Sequence, residues 1–240
     1  MSKRAERFFH FCTWAIQGSS YLSPRAYAIL HRMHHAYSDT ERDPHAPGFH
    51  RTAYGMMNAT KDIYRGLRVR TLIPEARFEG NYPVWPLIDG PLSRWPVSIA
   101  WGALYTLFYV AFATSPWLFA LLPIHFLMGP IQGAIVNWGG HKYGYRNFDN
   151  GDASRNTLIF DFITIGELFQ NNHHKYGMAP NFAARWFEVD PTYQVIRVLA
   201  WMNVIDLGTP QKMRYPGPLT REQLRAKLIV HAGKGGQEAA

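Results

Sequence analysis

The chain has 240 residues, enough for one large domain or two small ones, and carries 25 Lys+Arg against 17 Asp+Glu for a net charge of +8. Hydrophobic residues reach 47% and aromatics 15% while only 18% are charged, yet mean hydropathy is slightly negative at −0.21, which excludes a chain that is membrane throughout and favours a polar domain attached to a few spans. The basic residues are spread thinly, which argues against nucleic acid as a partner, and the single cysteine, Cys12, excludes an intrachain disulfide and every cysteine-based metal motif.

The first segment, "MSKRAERFFHFCTWAIQGSS", is basic then apolar, but His10, Thr13 and Gln17 interrupt it. It lacks a signal-peptide core and reads as an amphipathic helix at a membrane interface. "SPRAYAIL" has no breaker after Pro24, so a helix starting there carries the following "HRMHHAYSDTERDPH". On that helix His31, His34 and His35 stand at i, i+3 and i+4 and share one face. "TAYGMMNATKDIYRGLRVR" (52–70) reads as a further helix on the same side. Arg25, Lys61, Arg65 and Arg68 form a basic face that could meet an anionic headgroup, membrane lipid being the simpler partner.

Val97 to Ala113 is free of charge, as is Trp117 to Trp138, and Trp95, Trp117 and Trp138 stand at the ends of the two stretches. Their lengths and flanks predict a transmembrane hairpin over about 97–113 and 117–138, with Pro123 and Pro130 bending the second span. Arg94 precedes the hairpin, Lys142 and Arg146 follow it, and the turn is uncharged, so both outer ends face the cytoplasm. Everything before residue 94 and after residue 141 then shares that side, which lets histidines from the two ends meet.

At the cytoplasmic end of the second span, "NWGGH" puts Asn137 and His141 four apart, facing one way if the helix passes through both glycines; a stop at the glycines would drop His141 into a loop. "NTLIFDFITIGELF" reads as helical and leads into "ELFQNNHH", where Gln170, His173 and His174 repeat the i, i+3, i+4 spacing. "PTYQVIRVLAWMNVIDL" (191–207) is a short helix suited to lying in the interface, and "HAGKGGQEAA" (231–240) has the composition of disorder. Without an internal linker, residues 1–230 form one domain. His10, His45, His50 and His231 read as structural, and His125, inside a span, faces protein or a cavity.

Six imidazoles in clusters, with no cysteine and no H-E-x-x-H, suit a nitrogen-rich metal site. They are too many for one tetrahedral zinc, so two metals are the simpler count. Beside a bilayer, such a pair points to redox chemistry on an apolar substrate with oxygen.

These motifs resemble the membrane fatty-acid desaturases of the acyl-CoA desaturase type, which carry a non-haem di-iron centre. "HRMHHAYSDTERDPH" is similar to the family's second histidine box with its extension, "NWGGHKYGYRNFDNGDASRN" to its Asn-x-x-x-His segment and the run after it, and "GELFQNNHH" to its third box, so the likeness covers roughly residues 1–205. The resemblance implies an all-α integral membrane protein whose hairpin carries a cytosolic helical cap with the histidine boxes, multi-pass in a bacterial inner membrane. It implies that His31, His34, His35, His141, His173 and His174 hold two iron ions, with Asn137 reaching one through a water. Gln170 stands where many members have a histidine and would be a weak metal contact, and Asp39 and Asp43 would orient imidazoles from behind. The implied reaction uses O2 and two electrons, from a ferredoxin or a cytochrome b5-like protein, to desaturate a fatty acyl chain held as a CoA, carrier-protein or lipid-linked ester.

Two departures bear on this. The family's earlier H-x-x-x-x-H box has no counterpart, only His10 preceding box two, which leaves the activity of the chain as given an open question. Ile29 and Leu30 replace the Arg-Asp pair with which animal members hold CoA, which weakens CoA as the carrier. The alternatives are a fatty-acid or lipid hydroxylase or ketolase of the same histidine-box class, and a non-catalytic membrane remnant.

Overall fold

The computed structural model describes residues 1–159 and 161–215, and the expected disordered tail at 231–240 lies outside them. Among the described residues the regular structure is helical, apart from isolated antiparallel bridges Tyr145–Asn156 and Asn156–Phe169. Helix α1 (Lys3–Gln17) starts at Ser2, whose Oγ accepts from the Ala5 N–H at 3.2 Å. Helix α2 (Pro24–Tyr37) starts on a proline, where the missing N–H would have had no helical partner anyway, and it carries the first histidine cluster as expected. Helix α3 (Ala53–Arg68) is capped by Thr52, whose Oγ1 accepts from Gly55 N at 3.1 Å.

Helices α2 and α3 build the core below the histidines. Ala26, Ile29, Leu30 and Leu67 pack with Phe78, and Ile63, Tyr64, Leu72 and Tyr82 close around them. Each fully buried Ile or Leu there contributes about 1.5–3 kcal/mol. Ile29 and Leu30 are therefore core residues facing away from solvent, in keeping with their apolar character. Arg25 is spent on this scaffold, donating to the Leu67 carbonyl at 2.8 Å and pairing with Glu79. Arg68 donates to the Ser93 carbonyl, so two of the four cations expected to meet a headgroup are fixtures of the fold.

After the short α4 (Pro86–Asp89), helix α5 (Trp95–Phe112) is long and apolar enough to cross a membrane, and none of it is buried in the protein. The second expected span is bent, as its prolines predict. A 3₁₀ stretch (Pro116–Leu121) runs into α6 (Leu122–Phe126), and α7 (Met128–Ala134) leaves at 72° after a break at Leu127. The bend follows from Pro130, whose ring blocks the carbonyl four residues back and offers no N–H to it. The carbonyls of His125 and Phe126 accept instead from Ser19 Oγ at 3.3 Å each. Among the described residues, one helix is thus long and apolar enough to span a bilayer, or two if the bent pair serves as one. Gly18, at φ +51°, sits at the crossing; a Cβ there would lie 1.7 Å from the Tyr105 hydroxyl of α5.

Past α7 the helix runs through both glycines, but as a π turn (Ile135–Gly139) followed by the single turn α8 (Gly140–Lys142). Asn137 and His141 are therefore out of plain α-helical register. The expected helix before the last histidine cluster does not form. Among the described residues 157–169 are turns tied to Asp161, whose buried carboxylate accepts from Thr164 N at 2.9 Å, Gly166 N at 3.0 Å and Leu168 N at 2.8 Å. A side chain that takes up backbone N–H groups locally competes with the helical ladder. Only α9 (Gln170–Lys175) is helical there, and α10 (Pro191–Trp201) follows, capped by Asp190.

Candidate metal centre

The last turns of α2, the end of α8 and the whole of α9 converge, and they bring the clustered histidines into two groups of three. His31, His35 and His173 form one, with Nε2–Nε2 separations of 3.1 Å (His31–His35), 2.9 Å (His35–His173) and 3.3 Å (His31–His173). His34, His141 and His174 form the other. In it His34 Nε2 is 3.1 Å from His174 Nε2, and the His141 ring lies 5.0 and 4.9 Å from those two. Helical spacing explains the division. Neighbours on α2 and on α9 (His34 and His35, His173 and His174) diverge by one residue's rotation, so each helix supplies both groups.

Four of the rings, those of His31, His34, His35 and His173, are held neutral. Burial pushes His31 down to about 4 and His35 down to about 3, helped by neighbouring imidazoles, and it holds His34 and His173 well below the ordinary histidine value. In the second group every Nδ1 meets a carboxylate: His34 with Asp43 at 2.9 and 3.0 Å, His141 with Asp39 at 2.9 Å, His174 with Asp152 at 2.8 Å. Those contacts put the ring proton on Nδ1 and leave each Nε2 a bare lone pair.

The carboxylates are themselves held in place. Asp39 sits just past α2 at φ +58°, a conformation aspartate tolerates, and also accepts from Ala153 N at 2.8 Å. Burial alone would raise its carboxyl, but the hydrogen bond from His141 holds it below the usual range. Asp152 behaves likewise, burial being outweighed by His174 and by Ser154. Burial pushes the Asp43 carboxyl up, against the pull of His45 and of the N–H groups of Asp39 and His45.

These contacts fit a cation between the rings. Lone pairs facing one another at 3.1 Å repel, and His141 Nε2 is buried with no partner at all. Three mutually adjacent Nε2 atoms cannot be satisfied by imidazole protons either, since a neutral ring has one N–H and each contact needs one donor and one acceptor. An ion with nitrogen bonds of about 2.1 Å separates neighbouring ligands by about 3.0 Å at right angles and about 3.4 Å at the tetrahedral angle. The separations of 2.9–3.3 Å in the first group match that range.

The two amides expected near the metals spend their N–H groups on backbone carbonyls. Asn137 donates its amide N–H to the Gly133 carbonyl at 2.9 Å, and Gln170 donates to the Glu167 carbonyl at 2.6 Å while packing on Gly140. Two residues were given no part in the site by sequence reasoning: Asp152, which lies in the quoted run "NGDASRN", and His45, which read as structural. His45 is buried with its ring 4.2 Å from His34 and neither ring nitrogen partnered, and it forms a further close set with His34 and Asp43. His10 is the structural histidine expected, bonded to Tyr21 Oη at 2.8 Å and Asp89 at 3.1 Å, and His125 meets Tyr109 Oη at 2.9 Å.

A cavity of about 320 Å³ borders the first group through His173 and is lined by Ile165, Glu167, Met178, Phe182 and Ile196 among others. Burial raises Glu167 to about 7, so the wall is less charged than the sequence suggests.

Comparison with known proteins agrees with this architecture. A family model described as fatty acid desaturase matches residues 1–199. The chain is 26% identical to the Delta-9 desaturase-like 5 protein of Arabidopsis thaliana, covering 90% of this chain and 67% of that protein. It is 29% identical to the icosanoyl-CoA 5-desaturase of Limnanthes douglasii (95% and 60%) and 30% identical to an sn-1 stearoyl-lipid 9-desaturase of Synechocystis (84% and 60%). The chain thus spans about two thirds or less of the length of these relatives. No solved structure matches it.

Proposed function

Because this chain belongs to the fatty acid desaturase family, we propose that its two histidine groups hold a pair of non-haem irons that serve O2-dependent desaturation of a fatty acyl chain. The single observation that carries this reading is the pairing of two three-imidazole groups, each drawn from both α2 and α9, with their ligand nitrogens close together. His31, His35 and His173 would hold one iron, and His34, His141 and His174 the other. Bound there, the irons would supply the activation of O2 needed to break unactivated C–H bonds.

The protein's part is position and exclusion of water. Burial keeps His31, His34, His35 and His173 neutral and ready to ligate, and Asp39, Asp43 and Asp152 would fix the rings behind the second iron. The cavity beside His173 lies at the small end of the roughly 300–1,000 Å³ usual for ligand pockets, and its apolar side chains suit a stretch of hydrocarbon. Two relatives carry, by name, a CoA ester and a lipid-linked acyl group, so the acyl chain is the shared chemistry and we assign that as the substrate class. The exposed apolar helix α5 would anchor the protein in the bilayer, with the histidine groups on the cytoplasmic side by the charge of the flanks. Electrons would come from a ferredoxin or a cytochrome b5-like protein.

The test uses the full chain in lipid nanodiscs with iron, O2, a reduced ferredoxin and stearoyl substrates. The expected result is two irons per chain and an alkene product with no oxygen gained. His31→Ala and His174→Ala should each lower bound iron and abolish turnover; full iron content and rate in either variant would remove that residue from the assignment. An oxygenated product would point to a hydroxylase.

A further inference from the structure

The two histidine groups differ in what stands behind the rings. Each of His34, His141 and His174 turns Nδ1 to a carboxylate, at 2.8 to 3.0 Å, and the three acids come from separate parts of the chain. Behind His31, His35 and His173 there is none among the described residues. His173 Nδ1 is buried without any partner, and its ring stacks at 4.1 Å on Phe182 instead. His31 stacks on Tyr27 at 6.0 Å.

We propose that the two metal positions are unequal by construction: the His34/His141/His174 position is the tight one, and the His31/His35/His173 position is the labile one. This rests on the two-ion reading above. A carboxylate drawing on Nδ1–H raises the electron density at Nε2, fixes the ring's tautomer and adds a negative charge a few ångströms from the ion. In a buried site that charge is poorly screened. Three carboxylates gathered behind one set of rings favour a cation in front of them, which the other position lacks. Rings backed only by Phe182 and Tyr27 gain none of this, and His173 borders the cavity, which gives an ion or an exchanging ligand a way in and out. Asp39, Asp43 and Asp152 are on this reading positioning residues that set the order of filling: the carboxylate-backed group loads first and empties last.

The full chain in detergent, stripped of metal, is titrated with zinc or cobalt(II) against chelators of graded strength. Zinc is redox-silent and cobalt(II) is kept free of O2, so the readout is occupancy and does not depend on turnover. One ring partner is typically worth about 10–100-fold in affinity, so two steps separated by about 100-fold or more are expected. Asp152→Asn should weaken the tighter step by about 10–100-fold and leave the weaker step in place, Asp152→Glu should recover part of the loss, and His173→Ala should remove the weaker step alone. Two ions binding with equal affinity to the unaltered chain overturn the inference without any variant and leave the two-ion reading standing. Equal weakening of both steps by Asp152→Asn also overturns it, since a merely structural role would act that way. Fewer than two ions bound overturns the two-ion reading, and this inference with it.

Discussion

Gly140→Ala tests how closely the elements that carry the histidines must approach. A Cβ at Gly140 would lie 2.5 Å from Gln170 Cγ and 3.2 Å from its Cβ, the nearer contact about 0.9 Å inside ordinary van der Waals distance. Neither atom is the free end of a flexible side chain, because Gln170 is buried and its amide is tied to the Glu167 carbonyl. The clash must therefore push α8 away from α9, and with it His141 away from His174, two members of one group. Overpacking of this kind costs about 1–3 kcal/mol, a factor of roughly 5–150 in the folding equilibrium. Urea unfolding of the detergent-solubilised chain, followed by tryptophan fluorescence, measures that loss, and zinc titration should show the affinity of the His34/His141/His174 group falling. Gln170→Ala removes Cγ, so the double variant should regain most of the loss, giving a coupling of about 1–2 kcal/mol. Unchanged stability in Gly140→Ala, or strict additivity with Gln170→Ala, would refute the argument that this approach sets the distance between the rings.

Three further outcomes are expected. Since His31 and His35 are held at about 4 and about 3 in the fold and titrate near 6.5 when unfolded, the unfolded chain binds more protons between those values. Their contribution is fully present above about pH 6.5 and is lost as the pH falls toward 4, so the metal-free chain should melt progressively lower across that window; a flat melting temperature would contradict it. Glu188→Ala should destabilise by about 3 kcal/mol or more in the same urea assay, because the buried carboxylate accepts from Tyr145 Oη, Asn147, Asn172 and the N–H groups of Ala184 and Arg185, which would be stranded. Leu104→Arg, near the middle of α5 and exposed, should lower recovery in the membrane fraction, as arginine at the centre of a span costs about 2.5–3.5 kcal/mol on insertion scales; undiminished recovery would argue that α5 does not cross.

The helices that depend on local signals were legible in the sequence. The helix start at Pro24, the helices within 52–70 and 191–207, and the i, i+3, i+4 histidines of α2 are decided within a few residues, and the structure follows them, the last helix ending at Trp201. The 17 uncharged residues from Val97 likewise became α5. Where one side chain competes with the helix ladder, local reading failed: Asp161 gathers backbone N–H groups and turns the chain before α9. The bend of the second span was legible from its prolines, but its 72° and the role of Ser19 in taking the carbonyls freed near Pro130 were not.

The clustered imidazoles were plain from spacing alone, because helical periodicity puts three of them on one face of α2 whatever surrounds them. Their division into two groups was not, since it depends on how α2, α8 and α9 cross, and the choice of His141's partner depends on Asp39 reaching it across 102 positions of sequence at 2.9 Å. The same holds for Asp152 and His45, ordinary residues in the one-dimensional chain that acquire a role only where the chain returns to His174 and His34. Sequence fixes the chemistry available at each position; which nitrogens face one another, and which acids stand behind them, is settled by long-range packing that no local pattern encodes.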